Sequence, residues 1–170
     1  MKGATRKKIT PERALARLEE LCARSEQCTG ELTEKLFSWG IGATDRKVII
    51  DSLVNRHFVD DRRFASAYVR DRLMFARWGR RKITASLIQK RIPRDIIDDA
   101  LDEIDDDTYH DTIKSVMVSR LRSSGPVTTR DDYMRLLRYG MQRGFETDLT
   151  AKTIRKLLTE LENNGQEDTD

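Results

Sequence analysis

The stretch ELTEKLFSWGIGATDRKVIIDSL, residues 31–53, decides the fold. Leu32 and Leu36 stand four residues apart and Ile41 follows five later, with Gly40 as the stop between them. Such spacing puts the three apolar side chains on one side of a short helix and the turn that ends it. Val48, Ile49, Leu53 and Val54 then mark a second helix over Asp45–His57. The spacing recurs further on: Ile83, Leu87 and Ile92 repeat Leu32, Leu36 and Ile41 at an offset of 51. With three residues dropped at the turn, Ile96, Ile97 and Leu101 repeat Val48, Ile49 and Leu53. A looser third copy runs Ile113, Met117, Leu121, then Leu137, Met141, Phe145, then Ile154, Leu157, Leu158, Leu161.

Upstream, Thr10 can cap and Pro11 can open a helix over Pro11–Ser25, with Leu15, Leu18, Leu21 and Cys22 as its stripe. No strand-like alternation of useful length occurs. The expectation is an all-α chain of three tandem three-helix repeats, stacked into an elongated, curved, right-angle-stacked body. The repeats are expected at 10–58, 59–104 and 105–162, between a basic flexible segment 1–9 and a disordered tail 163–170. Ser123-Ser124-Gly125-Pro126 reads as a turn in the third repeat, followed by a capping box of Thr128 and Asp131.

The 170 residues carry a net charge of +3, which says little until it is read along the chain. Residues 56–94 hold twelve Arg and Lys against three Asp, and residues 95–111 hold nine Asp and Glu with no Lys or Arg. A +9 block therefore abuts a −9 block. A basic block commonly meets polyanions, either nucleic acid or an acidic protein surface. For the acidic run, helix capping is the plainest account.

A helical wheel over Arg62–Trp78 puts Phe64, Ala65, Tyr68, Val69, Leu73, Phe75 and Ala76 on one arc. Arg63, Arg70 and Arg77, seven apart, run down the opposite arc beside Met74 and Trp78. Arg, Trp and Met together have the composition of an interface. Arg72 falls inside the apolar arc and is expected to be held by an ion pair with Asp60, Asp61 or an Asp of the repeat's third helix. The next helix opens Gly79-Arg80-Arg81-Lys82. Three cations in a first turn oppose the helix dipole, so an external anion is expected there.

Neither His57 nor His110 has a Cys or His at ligand spacing, and Cys22 and Cys28 do not make a zinc pattern. No P-loop, GxSxG or HExxH occurs. The reading is a protein that is not an enzyme and needs no cofactor or metal. No apolar run long enough for a membrane span exists. Met1–Thr10 lacks the apolar core of a secretory signal, and two unpaired cysteines fit a cytoplasmic setting.

Val59-Asp60-Asp61-Arg62-Arg63-Phe64-Ala65-x2-Tyr68-Val69-x2-Arg72, followed by Gly79-x3-Ile83-x3-Leu87-x4-Ile92, resembles the signature of RecX regulatory proteins. Ala14-Leu15-x2-Leu18 through Arg24-Ser25, Glu31-Leu32-x2-Lys35-Leu36 and Gly144-Phe145 agree with the same family. Arg91 departs from it, standing where the family usually has Gly. The resemblance covers about residues 10–161. It implies three three-helix units forming a curved molecule that lies along the groove of RecA–DNA filaments; the chain is expected to be a monomer. It further implies suppression of filament growth and of RecA's recombinase and coprotease activities. On this reading Arg63, Arg70, Arg77, Trp78, Arg80, Arg81 and Lys82 are the partner contacts. The motif residues Asp60, Asp61, Phe64, Ala65, Tyr68, Arg72, Gly79, Ile83 and Leu87 are mainly structural. The alternative is a direct binder of single- or double-stranded DNA through the same basic face.

Overall fold

A computed structural model describes residues 9–167 of the chain. Among them the only regular elements are α-helices: α1 Pro11–Arg24, α2 Thr29–Ser38, α3 Ala43–Asn55, α4 Asp61–Met74, α5 Arg80–Gln89, α6 Arg94–Asp102, α7 Asp106–Ser124, α8 Arg130–Gln142 and α9 Thr147–Glu167. They divide into two compact units. The first takes the chain to Ser66 together with Leu87–Ile97; the second takes Ala67–Ser86 and the chain from Asp98. The division falls inside α4, α5 and α6.

In the first unit, Ala14 and Leu18 of α1, Leu32 and Leu36 of α2, and Ile49 and Leu53 of α3 close on Ile41 and Val59. Thr10 caps α1, its hydroxyl accepting from the Arg13 N–H, and Pro11 sits where its missing N–H costs nothing. In the second unit, Tyr109, Ile113 and Met117 of α7, Leu136 of α8, and Ile154 and Leu157 of α9 are buried with Phe145. The rings of Tyr109 and Phe145 lie 5.9 Å apart and tilted by 59°.

The repeat is most exact where the second helix of each set ends. Gly40, Arg91 and Gly144 all take left-handed φ, at 79°, 62° and 91°. After each comes the same bond: Ile41 N–H to Leu36 O, Ile92 N–H to Leu87 O and Phe145 N–H to Gly140 O, all 3.1 Å. This is one Schellman turn used three times. Arg91 keeps the geometry although it is not Gly.

The third copy needs a correction. Its buried positions are Leu136, Gly140 and Phe145, not Leu137, Met141 and Phe145; Met141 is exposed. Gly140 replaces the leucine of the other copies because α9 comes close: a Cβ there would stand 2.5 Å from Thr150 Cγ2. An apolar pattern cannot register a glycine that is buried for lack of room.

Other expectations also shift. The capping box belongs to Thr129 and Asp132, one residue beyond Thr128 and Asp131. α9 continues through 163–167, where a tail was expected, and residues 168–170 and the basic segment 1–8 lie outside the described residues. α4 stops at Met74 rather than Trp78, which leaves Phe75 84% exposed instead of in the core. No Gly or Pro marks that stop. Arg77 enters the left-handed region at φ 52°, and the Trp78 N–H closes on Arg72 O at 2.9 Å. The Arg143 guanidinium then donates to the Ala76 and Arg77 carbonyls at 2.6 and 3.3 Å, a cation at a helix C-terminus supplied from far along the chain.

Three variants test these contacts. Arg91→Gly relieves a left-handed non-glycine residue and should raise stability by about 1 kcal/mol in urea unfolding, whereas Gly140→Leu should lower it sharply. The Asp132 carboxyl is held below its ordinary value of 3.8 first by the Thr129 hydroxyl and then by the Thr129 N–H. Its stabilising effect is therefore complete above that ordinary value and fades as pH falls below it. Asp132→Asn should reduce the acid sensitivity of α8, read by hydrogen exchange.

Candidate partner-binding surface on the second helix set

The N-terminus of α5 carries Arg80, Arg81 and Lys82 and no acidic residue in its first turn. The expected external anion is not what satisfies it. Gly79 N–H donates to Arg143 O at 2.8 Å, Arg80 N–H to the Tyr109 hydroxyl at 3.0 Å, and Arg81 N–H to Gly144 O at 3.1 Å. Lys82 N–H bonds Gly79 O at 3.1 Å. The donors that would have faced an anion are occupied by the C-terminal turn of α8 and by α7. Opposite helix ends thus meet, which favours both dipoles.

Gly79 makes this approach possible, since a Cβ there would come within 2.3 Å of the Gly144 backbone. Tyr109 is fully buried and its hydroxyl donates to Glu146 Oε2 at 2.7 Å. Burial, above all, raises its phenol well beyond the ordinary value of 10, so it remains a neutral donor.

The candidate contacts separate by what they touch. Arg63, in the first unit, donates its Nε to Glu26 at 2.7 Å. In the second unit, Arg80 pairs with Asp106 at 3.1 Å and stacks 4.1 Å from the centre of the Tyr109 ring. Arg77 donates to Ser115 Oγ at 2.7 Å from its turn, off the helix that was expected to carry it. Trp78 is half-buried with the Lys82 ammonium 4.5 Å and the Arg72 guanidinium 5.1 Å from its ring centre. Arg70 and Arg81 remain: both are exposed, and neither guanidinium has a hydrogen bond or ion pair among the described residues.

Arg72 has no ion pair among the described residues. Its guanidinium lies between the rings of Tyr68, at 4.7 Å, and Trp78, and its Nε is buried without a hydrogen bond. Asp60 and Asp61 are engaged elsewhere. Asp60 accepts from the Arg62 and Arg63 N–H groups at 2.9 and 3.1 Å, capping α4. Asp61 accepts from the Thr29 N–H at 2.8 Å and its hydroxyl at 2.6 Å. α2 has Cys28 at its N-cap, whose side chain makes no capping hydrogen bond, so Asp61 supplies the cap from another helix.

Phe64, Ala65, Ile83 and Leu87 of the motif are buried, and Tyr68 shares a 2.6 Å hydrogen bond with Ser86. Burial drives the Cys28 thiol up to about 11, so it stays protonated. Sequence reasoning missed Tyr109, Arg143 and Gly30. A Cβ on Gly30 would stand 2.0 Å from Lys90 O, and glycine in a helix's first turn was the signal available.

Residues 60–101, which hold this motif and most of these contacts, match the family model described as "RecX, second three-helix domain". The chain is 31% identical over 139 residues to the regulatory protein RecX of Clostridium tetani, covering 79% of this chain and 62% of that one. The chain belongs to the RecX family. A RecX from Mycobacterium sp. (strain KMS) is 31% identical over 111 residues, covering 65% of this chain and 61% of the relative. The chain spans between half and about three-fifths of the length of the first curated RecX relatives it matches.

Among solved structures, RecX from Lactobacillus salivarius superposes with a TM-score of 0.77 at 20% identity, covering 86% of this chain and 96% of that one. A second regulatory protein RecX gives 0.76 at 19% identity, covering 88% and 71%. These two share the all-α helical repeat fold. Among the described residues, no helix is long and apolar enough to cross a membrane.

The split among the cations predicts opposite responses. Arg70→Glu with Arg81→Glu should leave stability within about 0.5 kcal/mol, as exposed substitutions usually do. Gly79→Ala should cost about 3 kcal/mol or more, because backbone meets backbone there. Thermal and urea unfolding of both variants check the contrast.

Proposed function

We propose that the chain is a regulator of RecA that binds RecA–DNA filaments along their helical groove. Binding there inhibits filament extension and with it the recombinase and coprotease activities. Membership of the RecX family supports the regulatory role. The observation that carries the contact surface is the pair Arg70 and Arg81, exposed on the second unit with no carboxylate of their own. A cation held by no internal partner loses nothing internal when it meets an acidic group or a phosphate. Arg77, Arg80 and Lys82 extend the contact, each with a link weak enough to be exchanged at the surface. Arg63 is a further contact, and Trp78 keeps Lys82 in place. The proposal takes the chain as a cytoplasmic monomer of three modules, 10–58, 59–104 and 105–162, with no catalysis and no cofactor of its own.

Titration into RecA–single-stranded DNA filaments, followed by ATP hydrolysis and strand exchange, tests this. Inhibition is expected at micromolar protein and should weaken at least tenfold in the Arg70→Glu/Arg81→Glu variant. No inhibition by the native chain would refute the proposal. If the variant loses affinity only for bare DNA, with a steep salt dependence, the surface reads DNA directly instead.

A further inference from the structure

The second helices of the three sets all end in the same Schellman turn, yet only two of those turns are occupied among the described residues. In the first unit, the turn after α5 receives the N-terminus of α2. Gly30 lies against Lys90 O, the Cys28 Sγ–H points at the same oxygen at 3.8 Å, and Glu31 pairs with Lys90. In the second unit, the turn after α8 receives the N-terminus of α5, with Gly79 and Arg81 N–H groups on the Arg143 and Gly144 carbonyls. In both, a glycine at or beside the first turn lets backbone approach backbone.

The third such turn, after α2, has no occupant among the described residues. Trp39 and Gly40 correspond to Lys90 and Arg91 and to Arg143 and Gly144, but among the described residues nothing donates a hydrogen bond to their carbonyls. A Cβ on Gly40 would have nothing within 4 Å, whereas on Gly144 it would strike Lys82. Gly40 is exposed and Gly144 is buried. Beside the open turn, Phe37 is 66% exposed. Two cations stand at it: Arg46 lies 5.3 Å from the Phe37 ring centre and bonds Ile41 O, and Arg17 lies 4.9 Å from that of Trp39.

We propose that the Phe37–Ile41 turn is an open copy of the socket used twice within the chain. Its occupant is the N-terminal turn of an α-helix on another protein, with a glycine at the contact and a carboxylate next to it. The free carbonyls call for helix N–H donors. Arg17 and Arg46 favour an acidic first turn, as Lys90 does with Glu31. A second copy of this chain fits poorly: α8, the one second helix whose N-terminus no other turn receives, is closed by its own Thr129–Asp132 capping box. This inference rests on the internal repeat and not on the proposed RecA role.

The probe is a synthetic peptide of residues 26–38, the segment that already fills the turn after α5. It is titrated to millimolar concentration into the full, isotope-labelled chain while backbone amide shifts are followed. Saturable shifts confined to Trp39, Gly40 and Ile41 are expected, with at least a tenfold loss of affinity for the Gly30→Leu peptide. The proposal is overturned by no shift, by equal shifts with both peptides, or by shifts at Lys90–Ile92 in their place. It is also overturned if the peptide binds only after residues 2–8 are deleted, or if sedimentation shows the chain pairing with itself through this turn.

Discussion

The structure depends on one contact: the N-terminus of one second helix set against the C-terminal turn of the next. In the second unit it consists of Gly79 and Arg81 N–H groups on the Arg143 and Gly144 carbonyls, 2.8 and 3.1 Å long. In the first it is Gly30 pressed on Lys90 O. Helix ends carry unsatisfied donors and acceptors that are costly when buried alone. Joining opposite ends satisfies both and aligns their dipoles favourably. The contact tolerates no side chain at Gly30 or Gly79, and it needs a left-handed residue at the receiving turn.

A second layer of the same logic lies in the first helices. Asp61 at the start of α4 caps α2, and the Tyr109 hydroxyl in α7 caps α5. An acid and a phenol, from different positions in their helices, perform one task on the corresponding amides of Thr29 and Arg80. With Tyr109 accepting from Arg80, three cations in the first turn of α5 become tolerable without a bound anion. The charge conflict visible at that helix is thus resolved mostly inside the protein. The exposed charge without an internal link is smaller than the +9 block: the guanidinium groups of Arg70 and Arg81, beside Arg77, Arg80 and Lys82, which are each linked to a neighbour.

Much of the fold was legible. Leu32, Leu36 and Ile41 and their copies Ile83, Leu87 and Ile92 are all buried, because a helix that must bury one face repeats its apolar spacing wherever the packing repeats. The candidate site was less so. Arg72 reads as a buried charge that needs an acid, yet two aromatic rings flank it. Phe75 reads as core, yet the helix ends before it. For Arg72 the rings come from its own helix and the turn that follows it, whereas the end of α4 is held by Arg143 from far along the chain.

Helix type, helix number and the register of the first two copies follow from local spacing, since they depend on which residues one helix presents to one core. Family membership follows equally from the order of residues 59–92. Tertiary structure alone assigned the partners of the helix ends, the burial of Gly140 and the division of the arginines into held and free. Those outcomes turn on distances between segments remote in sequence. A glycine, a capping oxygen or an unpaired guanidinium leaves no periodic trace along the chain.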